Sequence, residues 1–210
     1  MKKYRLFILI WIFLIAGISS CKTDGFKKIE IERIRSGGEN AVMPLFTINE
    51  KRDSLLLRQI ARKVRKRDIH SESLELLRRR MLATVNDSLN PGVGIAAPQV
   101  GISIQMIYVQ RLDKPGEPFE IYYNPEIKYY SDTTALGREG CLSVPFYRGM
   151  VRRSQEIRLS YLDSLGHEKN EEINNFTAVI FQHEIDHING VLYYDHVKGG
   201  FDALTKIDEF

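Results

Sequence analysis

Phe176-Thr177-Ala178-Val179-Ile180-Phe181-Gln182-His183-Glu184-Ile185-Asp186-His187 is the stretch on which the reading of this chain turns. Phe176, Val179, Ile180 and His183 recur at spacings of three and four, which predicts a helix buried along that stripe. Asn175 is the expected N-cap, and Gly190 the expected residue just past the helix end. His183 and His187, four apart, then share one face, a turn apart, where two imidazoles reach one metal ion. Glu184 lies beside them, placed to act on a water at that ion. The competing reading is a chance His-Glu-Xaa-Xaa-His in a charged helix, and only a third ligand from elsewhere in the chain decides between the two.

At 210 residues the chain is long enough for one domain with a proper core. A composition of 43% hydrophobic and 27% charged residues excludes global disorder. The net charge of +3 is too small to imply a nucleic-acid or anionic-membrane partner. Lys2, Lys3 and Arg5 precede an uninterrupted apolar run over residues 6–18, followed by Ile18-Ser19-Ser20-Cys21. The run is short of the roughly 20 residues a membrane span needs and suits the core of a signal peptide. Its ending resembles a bacterial lipobox, in which the cysteine becomes the lipidated first residue. Ala16 and Gly17 offer an ordinary signal-peptidase site nearby. The expectation is a signal peptide over residues 1–20, lipidation of Cys21, and export to a membrane outside the cytoplasm. Residues 21–45, polar and broken by Gly37-Gly38, read as a tether, and residues 46–210 as a single catalytic domain.

The chain has two cysteines, so lipidation of Cys21 leaves Cys141 as a lone thiol in an exported protein. It is then either inert and buried or chemically employed, and is the first place to look for the missing ligand. Leu57, Ile60 and Val64 mark a short helix whose basic residues 62–67 read as a solvated face, with a phosphate-binding patch as the alternative. Leu74, Leu77, Met81 and Val85 predict a second helix capped by Ser71. The loop Gly92-Val93-Gly94-Ile95-Ala96-Ala97-Pro98-Gln99 lacks the features of a phosphate-binding fingerprint; it reads either as a close backbone approach to a ligand, with Gln99 offering an amide, or as a tightly packed turn. Strand signals follow over residues 102–109, 119–123 and 156–162, with a hairpin return over 168–173. This predicts an α+β fold, with mainly antiparallel sheet packed on the C-terminal motif helix.

Between the strands lies Glu139-Gly140-Cys141-Leu142-Ser143. With the glycine-rich loop before it and the histidine motif after it, three motifs stand in a fixed order, and over residues 46–198 the chain closely resembles the peptide deformylases, metal hydrolases that remove formyl groups from formyl-methionyl peptides. The resemblance implies Cys141, His183 and His187 as ligands of one divalent metal, Fe(II) by family likeness, with Zn(II) or Ni(II) compatible with the same donors. It implies Glu184 as the proton shuttle, with the Gln99 amide and the Leu142 backbone N–H donating to the oxyanion. It places Gly94 and Arg148 along the peptide path, and Val93, Val179 and Ile180 around the methionine side chain. Glu139 and Asp186 read as supporting groups rather than ligands, and His70, His167 and His196 as incidental. No oligomeric state is readable from these features. Two other readings stay open: a formyl-peptide-binding lipoprotein without turnover, for example with Cys141 oxidised, and another metallopeptidase with a ligand downstream of His187.

Overall fold

The chain's alternation between polar and apolar positions closes around a five-stranded antiparallel sheet. The computed structural model describes residues 25–89 and 91–208; residues 6–18 and Cys21, on which the export reading rests, lie outside them. In chain order, strands β1 (Gly94–Ala96), β2 (Met106–Gln110), β3 (Phe119–Tyr130), β6 (Glu156–Leu162) and β7 (Glu168–Asn174) form that sheet in the order β1-β2-β3-β6-β7. Strands β4 (Thr134–Cys141), β5 (Val144–Ser154) and β8 (Thr205–Lys206) form a second sheet of three. The pairings are antiparallel, as the α+β reading requires.

Strand β2 explains why the larger sheet has no solvent face at its centre. Met106 and Tyr108 join a core with helix α3 (Glu72–Val85), while Ile107 and Val109 join a core with helix α4 (Asn175–Ile188). Alternate side chains point to opposite faces of a strand, and both faces here are covered, so the strand reads as a continuous apolar run. A third cluster, with Val144, Val151, Leu192 and Tyr193, lies under the smaller sheet. Ser71 caps α3, its hydroxyl accepting from the Leu74 N–H at 3.3 Å, as expected.

Several expectations need correction. The helix placed over Leu57, Ile60 and Val64 is instead α2 (Lys51–Leu57); beyond it the chain straightens, the Ala61 N–H donates to Ile188 O, and Ile60 is 76% exposed. The early strand begins at Met106, four residues later than the apolar run at 102 suggested. The hairpin β4–β5 had no strand signal, because its inward positions include Gly149 and Arg153, which break the apolar alternation.

Part of the segment read as a tether is packed against the domain. Residues Lys28–Arg35 form helix α1, with Ile34 and Glu30 buried. Arg80, buried on α3, donates to the carbonyls of Arg33, Ile34 and Ala41, and the Met43 N–H donates to Thr84 Oγ1 at 2.9 Å. Farther on, the Phe46 N–H donates to Gln99 O and the Ile48 N–H to Ser143 O. The chain just past that segment thus braces two loops that matter below.

Candidate active site

Three elements bring the site together. Strand β4 ends on Cys141, which pairs with Val144 across the two-residue turn Leu142-Ser143. Strand β1 leads into a tight turn carrying Gln99, and α4 carries the histidine motif. Helix α4 starts one residue from the expected cap: Asn174 holds the N-cap position without a side-chain bond, and Asn175 takes a left-handed φ of 56°. Gly190, at φ 74°, is the expected left-handed residue beyond the C-terminus.

The apolar stripe of α4 also faces otherwise than expected. Ala178, Phe181, Ile185 and Ile188, again spaced by three and four, meet the large sheet. Phe176, Val179, Ile180 and His183 line a cleft of about 300 Å³, and Phe176 is 57% exposed at its rim. The helix is apolar on two faces, and spacing alone could not say which one the sheet takes.

Cys141, His183 and His187 place their donor atoms within 4.8 Å of one another, with Cys141 Sγ 3.1 Å from His187 Nε2. A thiolate and two imidazoles at this spacing fit a single divalent cation of borderline softness. Burial disfavours the Cys141 thiolate, but the His187 and His183 imidazoles beside it bring the thiol well below its ordinary value. His183 Nδ1 lies 2.9 Å from Glu139 Oε2, which leaves its other nitrogen to face Cys141. Glu139 is held in turn by Arg153, Arg153 by Asp186, and Asp186 by His196 at 2.8 Å. His196, read from sequence as incidental, therefore closes a chain of hydrogen-bonded side chains behind the centre; nothing in its local sequence marked it.

Glu184 is buried, with Oε2 among the described side-chain atoms that find no hydrogen-bond partner. Burial pushes its carboxyl up to about 7, against the pull of the neighbouring imidazoles. Gln99 accepts the Ala96 N–H on Oε1 at 2.8 Å, which turns its amide NH₂ toward Cys141 Sγ at 3.5 Å and Ser143 Oγ at 3.3 Å. The cleft also presents Val93, Gly94, Leu142 and Arg148, with Arg138 beside them. A Cβ on Gly140 would lie 2.1 Å from Arg148 Nη1, so the glycine lets that guanidinium lie across β4. Every residue that the sequence reading assigned to metal, catalysis or peptide thus borders one cleft, apart from His187, which is buried behind its wall and reaches Cys141.

Comparison with known proteins agrees with that geometry. The family model for polypeptide deformylase matches residues 42–200. Peptide deformylase 2 from a Nostoc species is 38% identical over 145 residues, covering 66% of this chain and 80% of that protein. The Brucella suis peptide deformylase is 39% identical over 145 residues, covering 68% and 79%. Among solved structures, a Met-Ala-Ser-bound class I type b peptide deformylase from Acinetobacter baumannii superposes with a TM-score of 0.66 at 36% identity, over 75% of this chain and 99% of that one. The Thermotoga maritima peptide deformylase gives 0.65 at 33% identity, over 75% and 98%. By sequence, by fold and by the cleft they build, the chain belongs to the polypeptide deformylase family and is a metal-dependent hydrolase of N-formyl peptides.

Proposed function

We propose that the chain hydrolyses the formamide bond of formyl-methionyl peptides, releasing formate and a free amino terminus, with Cys141, His183 and His187 holding Fe(II). The convergence of those three donors with Glu184 and the Gln99 amide on one cleft carries the reading. Zn(II) and Ni(II) suit the same donors, and Fe(II) is favoured by family likeness. When bound, the ion supplies a Lewis acid that brings the pKa of a water in the cleft toward neutrality. Glu184, with its free oxygen in a buried position, takes a proton from that water as its oxygen attacks the formyl carbon. The Gln99 amide and the Leu142 N–H donate to the formyl oxygen as charge develops on it. As the carbon–nitrogen bond breaks, Glu184 returns the proton to the leaving amine.

The cleft offers the matching specificity. Val93, Val179 and Ile180 give the methionine side chain an apolar wall, while Gly94 and Arg148 lie along the peptide. The basic n-region, the apolar run and Cys21 support an exported enzyme held to a bacterial membrane by lipid. There it would act on formyl peptides outside the cytoplasm.

Formate release from formyl-Met-Ala-Ser by reduced protein loaded with Fe(II), Ni(II) or Zn(II) tests the reading. Turnover that disappears in Glu184→Gln supports it. Absence of formate with every metal, from a folded protein with a free thiol, would favour the binding-only alternative.

A further inference from the structure

The described chain begins at Gly25, and that glycine packs against the basic segment, residues 62–67, that sequence alone read as a solvated face. Arg62 Nη2 donates to Gly25 O at 3.4 Å, and a Cβ on Gly25 would lie 2.9 Å from both Arg65 Nη2 and Asp68 Oδ2. A cleft of about 230 Å³ opens there, with Phe26 on one wall and Arg62, Lys63 and Arg65 along the other. Lys63, Arg65, Lys66 and Arg67 are exposed, as are Lys27 and Lys28 at the start of α1.

The acids of this face offset only part of its charge: Glu126, near Lys63, is paired with Lys128, and Asp163 in the β6–β7 turn lies within 4.0 Å of Lys169. Glu30 pairs with Arg62, and Asp68 pairs with Arg65. Glu168 pairs with Lys66, but both side chains are more than half exposed, so water and salt weaken the pair. Lys63 and Arg67 add charge beyond these pairs, Arg67 being 75% exposed and 3.9 Å from Asp68. The Lys66–Glu168 pair brings in the β6–β7 turn, where a Cβ on Gly166 would meet Ile69 at 3.0 Å and Leu165 is 61% exposed. Asp163 accepts the Leu165 N–H at 2.9 Å, so the turn offers an exposed leucine beside the cationic segment rather than within it; cations next to an exposed apolar side chain suit an interface that is anionic at the surface and apolar beneath.

Chain length then decides what meets this face. Only four residue steps separate Cys21 from Gly25, and seven separate the end of the apolar run at Ile18 from it. Fully extended, four residues reach about 14 Å, so Gly25 stays within one to two Debye lengths, about 8–10 Å each, of the surface that holds Cys21. An anchor at Cys21 therefore keeps Gly25, and the Arg62 and Arg65 side chains beside it, near the membrane surface.

We propose that residues 62–68, with Lys27, Lys28 and Leu165, form a docking face for anionic phospholipid, which fixes the orientation of the domain on the membrane that anchors it. The inference rests on the anchoring reading of the N-terminus, and the test separates the two. The full-length chain is reconstituted on vesicles of phosphatidylcholine alone and on vesicles containing one-third phosphatidylglycerol; flotation and amide hydrogen exchange are then measured. Flotation on both, with exchange over residues 62–68 and 163–167 slowed on the anionic vesicles only, supports the face. High salt should remove that slowing, and K63E/R67E should reduce it by on the order of tenfold. Flotation on both with equal exchange, or slowing elsewhere on the surface, overturns the face and leaves the anchor. Flotation on anionic vesicles alone, with residues 62–68 protected, overturns the anchor and supports the face. Flotation on neither overturns both.

Discussion

The Glu184 carboxylate fills the space that a side chain at position 94 would need: a Cβ built on Gly94 would lie 2.6 Å from Glu184 Oε1 and 2.8 Å from its Cγ. Strand β1 and helix α4 are thus packed as closely as a glycine allows, at the residue proposed to move the proton. Gly94→Ala is expected to push the carboxylate off its position while leaving the fold intact. A displacement near 1 Å at a reacting group costs roughly a hundredfold in rate. The expected result is that kcat/KM for formyl-Met-Ala-Ser falls by about that factor while Tm moves only a few degrees. Unchanged kcat/KM would mean that Glu184 has room to adjust.

That relationship was half visible in the sequence. Gly94 stood out as a glycine next to apolar residues, and a close backbone approach was one of two readings, but the partner could not be named because Glu184 lies 90 positions later. The site residues were legible because three motifs in fixed order resemble the peptide deformylases; chemistry by itself offered two histidines on one helix face and pointed to Cys141 as the first candidate for a third ligand. The hairpin that carries Cys141 was not legible, since Gly149 and Arg153 take inward positions where alternation would need apolar side chains. Nor was the docked α1, whose fixation depends on Arg80, a buried arginine reaching three carbonyls from another helix.

Helix α1 is therefore expected to contribute to the stability of the domain. Ile34 is fully buried in the core formed with α3 and the large sheet. Ile34→Ala removes that packing and is expected to cost about 2–4 kcal/mol in urea-induced unfolding. A free tether would give no measurable change, and that result would return residues 28–45 to the role of spacer.

Glu139 acts on the metal centre through His183. Burial raises the cost of its charge, but His183 and Arg153 hold the carboxyl down at about 2, so it stays ionised throughout the working pH range. An ionised partner at Nδ1 fixes the imidazole's orientation and strengthens it as a ligand. Glu139→Gln keeps the shape and removes the charge. Metal affinity, measured by competition with a chelator, is expected to weaken about 10- to 100-fold. Equal affinity in both proteins would reduce Glu139 to a packing role.

Cys141 gives a test that needs no substrate. In the metal-free protein burial disfavours its thiolate, but the imidazoles of His187 and His183 outweigh that cost and hold the thiol well below its ordinary value. A group with a lowered pKa keeps its charged form as pH falls, so the thiolate persists below the range where a free cysteine is protonated. Since the thiolate is the form that reacts, alkylation of Cys141 by iodoacetamide should have a pH profile displaced to the acid side of free cysteine. A bound ion occupies the same sulfur, so loading with Zn(II) should suppress the reaction and chelation restore it, as read by peptide mapping of the modified residue. The same persistence exposes the sulfur to oxidation, and sulfenic acid formation would remove a ligand. A metal-free profile that matches free cysteine would show that the imidazoles do not govern the thiol, and the ligand assignment of Cys141 would lose its electrostatic basis.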